Sequence, residues 1–415
     1  MRLRLILLVV VVLMTPHKVH AYSVLAHEAA IDATWDDSIE PLLRRRFPRA
    51  TADALLRARS FAYGGSVIQD LGYYPFGSRF FSNLLHYVRS GDFVEALLRD
   101  ASDIDELAFA VGALAHYAND NTGHPEAVNR SVPMSYPKLR LKFGDQVTYV
   151  DAPKQHVIVE FSFDVVQAAA GTYRPEAYQR FIGFRVASGL LQRAFQETYG
   201  LEMKNVFADM DRSIATYRYS VGEVIPALTE AAWREKHDEI VQLHPAMERT
   251  GFVFAYGRPA FERDYGRDYQ RPGWFARFLA VLYRIVPKIG PLAPLSFKTP
   301  TPEAEALFAR SFRDASARLR DLLREVGTRQ FEFPNTNFDT GRPTTRGAYS
   351  LADETWGELL KRLDKHHFEG VDRVLRARIL AFYGDRPEDI AAGRHERQRR
   401  ADLQRRLDAL SRFQP

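Results

Sequence analysis

Apolar residues recur at three- and four-residue spacings along most of this chain, in Ser23 to Trp35, Ala52 to Ser60, Phe93 to Leu98, Ile104 to Ala118, Pro175 to Tyr199 and Asn205 to Ala232. That period places apolar side chains on one face of an α-helix. Alternation of the strand kind is scarce, and Gln146 to Val150 is the best short candidate. The pattern predicts an all-α fold, a multi-helix bundle with long loops. From about Thr250 the texture changes. Gly251 to Gly257 is aromatic and turn-rich, and Arg271 to Pro300 mixes bulky apolar residues with five prolines. A polar helical stretch follows from Pro302 to Val326, then a loop rich in Asn, Thr and Gly from Phe331 to Gly347, then helices over Leu351 to Tyr383. The arginine-dense tail, Arg386 to Leu410, reads as a solvated terminal helix. No internal repeat is visible.

Before the first helix, Arg2 and Arg4 precede an apolar run from Leu5 to Met14, and Val19 and Ala21 stand where a signal peptidase needs small residues. The run is short of the roughly 20 apolar residues of a membrane-spanning helix. Residues 1–21 are therefore expected to be a signal peptide, giving an exported (periplasmic or secreted) protein that begins at Tyr22. Loss of Arg2, Arg4 and Lys18 lowers the formal charge from +5 to +2, which offers no electrostatic reason to bind nucleic acid. The chain has no cysteine, so an exported fold of this size must rely on its core and on metals rather than disulfides. Two divisions are expected after the leader, a helical domain over 22–250 and a mainly helical C-terminal extension over 251–415.

Five histidines fall between residues 27 and 156. In His116-Tyr-Ala-Asn-Asp120-Asn-Thr-Gly-His124 the spacing of four puts two imidazoles and a carboxylate on one helical face, although Gly123 and Pro125 can end the helix and let His124 turn elsewhere. His156 and Glu160 repeat the spacing. Asp70, in a turn, and His86, ending an apolar segment, complete the set. Buried carboxylates and imidazoles in this number are costly unless paired or metal-bound. His27-Glu28 lacks the second ligand of a zinc protease, because position 31 is isoleucine. With Tyr22 as first residue, its amine and carbonyl oxygen can chelate a metal together, with His27 five residues on.

This ordered set, from Tyr22-Ser-Val-Leu-Ala-His27 through Asp70-Leu-Gly, His86, His116-x3-Asp120-x3-His124 and His156-x3-Glu160, resembles the ligand pattern of the zinc-dependent phospholipases C and of the related zinc-dependent single-strand nucleases. The resemblance covers about Tyr22 to Ala232 and implies the helical bundle of that family. It implies three zinc ions. One is held by Asp70, His86, His116 and Asp120, a second by His124, His156 and Glu160, and a third by Tyr22 and His27 with Asp120 as a bridge. Two departures stand out: the family usually starts with tryptophan, and the Asp120 to His124 gap is shorter here than usual.

The resemblance further implies hydrolysis of a phosphodiester, first of all a phospholipid, by a metal-bound hydroxide, with Asp70 orienting or deprotonating the water and Asp120 shared between ions. A single-strand nuclease is the alternative, for which Tyr63, Tyr73, Tyr74 and Phe76 are candidate stacking platforms. A metal-stabilised binding protein without catalysis is a third reading. Trp274 to Val286, apolar but for Arg277 and Arg284 and followed by prolines at 287, 291 and 294, fits either a core helix or a helix in the membrane interface.

Overall fold

The computed structural model describes residues 24–169, 184–225, 297–384 and 394–414, with single positions between 229 and 240. The leader, Tyr22, the boundary near residue 250 and the segment Trp274 to Val286 lie outside the described residues. What is described is all-α apart from one two-stranded hairpin.

Among the described residues, eleven α-helices precede residue 220: α1 (Val24–Thr34), α2 (Glu40–Arg46), α3 (Ala52–Ser66), α4 (Arg79–Tyr87), α5 (Ser90–Asp100), α6 (Ile104–Gly123), α7 (Asn129–Ser135), α8 (Pro137–Phe143), α9 (Pro153–Ala169), α10 (Ser188–Tyr199) and α11 (Met210–Tyr219). After residue 300 come α12 (Pro302–Thr328), the strands β1 (Thr336–Asn337) and β2 (Arg342–Pro343), α13 (Ser350–Lys365), α14 (Arg373–Tyr383) and α15 (Arg394–Arg412). The helices expected over Leu351 to Tyr383 are α13 and α14, parted by a turn in which His367 and Phe368 take left-handed backbone angles. Gln146 to Val150 is irregular chain and turn, not a strand. Its Val147 N–H is used by the Asn129 carbonyl of α7 rather than by a neighbouring strand.

Helix α6 is the axis of the bundle. Every residue from Leu107 to Gly123 is buried, so it carries no solvent face and needs small residues where neighbours come close. Gly112 is such a place, since a Cβ there would lie 2.1 Å from the Ala62 carbonyl oxygen of α3. Asp103 starts the helix by accepting from the Asp105 and Glu106 N–H groups at 2.9 and 2.8 Å, and a carboxylate suits the positive helix end.

On one side α6 packs against α3, and on another against α12. The buried stripe of α12, from Ala304 through Leu307, Phe308, Phe312, Leu319 and Leu323 to Val326, has the three- and four-residue period that builds such a contact. Phe308 also stacks on Phe163 of α9 with centroids 4.6 Å apart. The larger hydrophobic cluster therefore joins residues of α1 to α6 with residues of α12 to α14, and a smaller one gathers on α9 around Ile158, Phe161 and Val165.

Between α12 and α13 the chain runs as a strap along α5. Ser90 Oγ donates to the Thr336 carbonyl (2.7 Å), the Gly91 and Asp92 N–H groups both donate to Asn335 Oδ1 (3.0 and 3.1 Å), and Tyr117 OH donates to the Pro334 carbonyl (2.9 Å). The hairpin that follows points its turn at the end of α6.

Candidate metal centre

Five pieces of backbone converge at the C-terminal end of α6. His27 comes from α1, Asp70 from a 3-10 turn over Ile68–Tyr73, His86 from the last turn of α4, His116 and Asp120 from α6, and His156 and Glu160 from the first turns of α9. His124 opens a wider, π-helical turn over His124–Val128. Pro125 has no N–H to continue the α pattern, and such wide turns recur at functional sites. None of these eight side chains is more than 5% exposed.

They form an inner and an outer group. In the inner group Asp70 Oδ1 is 3.3 Å from His86 Nε2, and Asp120 Oδ2 is 3.5 Å from His86 Nε2 and 3.1 Å from His116 Nε2. The other carboxylate oxygen, Asp120 Oδ1, lies 3.4 Å from His27 Nε2. Asp120 thus offers one oxygen to each side. Backbone carbonyls set the ring orientations: His86 Nδ1 is 2.7 Å from the Ser82 oxygen and His116 Nδ1 is 2.9 Å from the Ser66 oxygen. An Nδ1 proton given to a carbonyl leaves the Nε2 lone pair for a metal. The Asn119 amide nitrogen sits 3.3 Å from His27 Nδ1.

In the outer group His156 Nδ1 is 2.7 Å and His124 Nδ1 is 3.7 Å from Glu160 Oε1. The two rings stack with centroids 5.1 Å apart. His124 Nε2 remains 3.6 Å from Asp120 Oδ2, joining the groups. His156 Nε2 lies 2.8 Å from Asn129 Oδ1 of α7, which accepts its proton and frees Nδ1.

A ninth residue stands here that sequence reasoning missed. Asp339, in the turn of the hairpin, places Oδ1 3.4 Å from His156 Nε2 and 3.7 Å from His124 Nδ1. In the sequence it is one acid in a loop, with no ligand spacing around it to mark it.

The electrostatics are those of a tightly shared set of protons. Burial works against charge on His86, but Asp120 and Asp70 overcome it and push the imidazole up to about 10. His156 is likewise raised to about 10 against burial, by Glu160 and Asp339. Burial also opposes charge on Asp120, yet His116 and His124 hold that carboxyl well below its usual range. His27, buried and beside His116, is pushed well down.

The donor set fits zinc. Three groups of side chains, His27 with His116 and Asp120, Asp70 with His86 and His116, and His124 with His156 and Glu160, each bring ligand atoms close enough to hold one ion. Asp70 Oδ1, both Asp120 oxygens, His124 Nδ1, His156 Nδ1 and Glu160 Oε1 are buried with no hydrogen-bond partner among the described residues. Buried polar atoms left so are costly unless they bind metal. Of the four aromatic residues considered as stacking platforms, Tyr63, Tyr73 and Tyr74 are buried and Phe76 is exposed, with Arg212 over its ring at 3.7 Å.

A bundle around a buried cluster of imidazoles and carboxylates is an architecture that can hold metal ions. The family model for zinc dependent phospholipase C matches residues 26–209, and in this stretch the chain is similar to that family. No curated protein and no solved structure matches it. The matched stretch contains all eight side chains of the two groups and ends before Asp339.

Proposed function

We propose that the protein is an exported zinc-dependent phosphodiester hydrolase of the phospholipase C kind, with a phospholipid as substrate and three zinc ions as its complement. His86, His116, Asp70 and Asp120 would hold one ion, His124, His156 and Glu160 a second, and His27 with the amine and carbonyl of Tyr22 a third that also leans on Asp120. Zinc, when bound, supplies positive charge for the phosphate oxygens and water with a pKa lowered to about 7.

The chain's own residues do the remaining work. Asp120, with an oxygen toward each side, fixes the spacing within the inner group. Asp70 is the residue we assign to take the proton from the attacking water, because burial pushes its carboxyl up from the usual range and its Oδ1 has no donor among the described residues. Buried aromatic neighbours, among them Tyr73 and Tyr87, exclude bulk water, which strengthens charge interactions inside.

The division of the Asp120 carboxylate between His27 and the inner imidazoles carries this reading. Such sharing brings the inner imidazoles and His27 to one carboxylate, as a centre of two adjacent ions would need. The mature protein, loaded with zinc, should hydrolyse phosphatidylcholine vesicles and lose activity to a chelator. Cleavage of single-stranded DNA with no action on vesicles would move it to the nuclease class, and no hydrolysis of any phosphodiester would end the enzyme reading. N-terminal sequencing tests the start at Tyr22, without which the third ion loses its backbone chelate.

A further inference from the structure

We infer that Asp339 is a fourth protein ligand for the ion placed among His124, His156 and Glu160, so that the C-terminal part of the chain closes a metal site begun by α6 and α9. The inference rests on the zinc reading above. It concerns a residue outside the stretch that matches the family.

The two oxygens of Asp339 have different surroundings. Oδ2 accepts from the Tyr149 N–H at 2.9 Å and from Tyr349 OH at 2.6 Å. Oδ1 is buried and has no hydrogen-bond partner among the described residues, although the side chain is only 3% exposed. One oxygen is therefore anchored and the other is aimed into the centre. A cavity of about 10 Å³, lined by His124, His156, Glu160, Asp339 and four neighbouring residues, lies in front of it. That is room for a single small ion or water.

The distances agree with a shared ion. Ligands about 2.0 to 2.1 Å from a tetrahedral zinc are separated by roughly 3.3 Å. Asp339 Oδ1 is 3.7 Å from His124 Nδ1, and Glu160 Oε1 is also 3.7 Å from His124 Nδ1, so both carboxylates stand at a similar distance from one candidate ligand atom. Glu160 and His156 approach to 2.7 Å without the geometry of a hydrogen bond. The competing role, a hydrogen bond that merely orients His156, is already filled by Asn129, which sits at 2.8 Å from Nε2. At 3.4 Å Asp339 is too far to share it well.

The backbone around Asp339 is fixed from both sides. Its carbonyl accepts from Asn129 Nδ2 at 2.7 Å, its N–H donates to Asn337 Oδ1 at 2.9 Å, and the Phe338 N–H donates to the His86 carbonyl at 3.1 Å. Gly91 lets the strap come this near, since a Cβ there would meet the Phe333 carbonyl at 2.1 Å. With Asp339 as a ligand, the outer ion would tie the strap to the bundle.

Asp339→Asn keeps an oxygen for the Tyr149 and Tyr349 donors and removes the charge. Zinc titration of the full mature chain against a competing chelator should find one ion bound at least about tenfold more weakly in the variant, with the others unchanged. Cobalt(II) in place of zinc should show weaker visible bands as a four-coordinate site opens. Equal affinities and equal cobalt spectra in the two proteins would overturn the inference. Should the variant not fold, hydrogen exchange of the native chain decides: zinc should slow the amides of residues 337–341 relative to chelator-treated protein, and no difference would overturn it. Zinc-loaded native protein that hydrolyses no phosphodiester would sink the activity reading and leave these metal measurements standing. Native protein that takes up no zinc would sink both.

Discussion

The inner and outer groups use the same side-chain chemistry and are held by different means. His86 and His116 are oriented by carbonyls of two helices that both pack on the Ile68–Tyr73 turn, Ser82 in α4 and Ser66 in α3. His156 is oriented by a side chain, Asn129, which also grips the hairpin through the Asp339 carbonyl. Backbone carbonyls in a packed helix move only if the helix moves. The inner group is therefore as rigid as the bundle, and the outer group is as rigid as the strap that closes it.

The largest effect should come from the residue that belongs to both. Asp120→Asn should lower zinc-dependent hydrolysis on the order of 1,000-fold, about 4 kcal/mol of barrier, and metal analysis should show loss from both groups. Loss from one group alone would show that Asp120 does not join them. Asn129→Ala should then separate the groups, weakening zinc at the outer site by roughly 10- to 100-fold, as removal of a histidine's supporting partner does elsewhere. Equal weakening at both sites would dissolve the distinction.

Acidity should act on both groups alike. Without metal, His86 and His156 keep protons to about pH 10, and zinc must displace them. Each site should thus lose affinity about tenfold per unit as pH falls below that value, with proton release visible by calorimetry in buffers of different ionisation enthalpy. The metal-free protein should show the opposite trend. Raised imidazole pKa values contribute stability that is complete below about 6.5 and is lost as pH rises through about 10, so the chelated protein should melt lower at pH 9.5 than at pH 6. Unequal proton release by the two sites would make their difference electrostatic as well as architectural.

The smallest effect is expected from Tyr349→Phe. It deletes the 2.6 Å bond to Asp339 Oδ2 and leaves the Tyr149 donor, which should cost about 1 kcal/mol of stability by denaturant unfolding. Zinc should leave the outer site faster and the inner site at an unchanged rate. Faster loss from the inner site would mean that the strap supports the whole centre.

The His116, Asp120, His124 and the His156, Glu160 spacings were legible in the sequence, because helices α6 and α9 turn a spacing of four into a shared face. Even the widening at His124 was written in Gly123 and Pro125. The close pairing of α6 with α12 was less visible, since a helical stripe shows that a face is buried but not what it is buried against. Asp339 left no trace, because a hairpin turn has no period and its partners lie far away along the chain. The Phe331 to Gly347 loop was read as a connection, whereas the structure uses its Asn, Thr and Gly residues to build a turn that fits against α5 and the centre. The leader, Tyr22 and the Trp274 to Val286 segment lie outside the described residues, so chelation by the new terminus and contact with a membrane stand as expectations.

Ser90 meets Thr336 across 246 residues of chain. Contacts that far apart in sequence form late and slowly, because a long loop must close before they are gained. The helices bearing the inner group are made first and need only near neighbours to assemble, while the strap emerges after α12 and must find its seat on a bundle that has already formed. A product ending before residue 336 would lack both Phe338, whose ring lies against His86 and His116, and Asp339 beside His124 and His156, so the centre would keep its helical ligands and lose its cover.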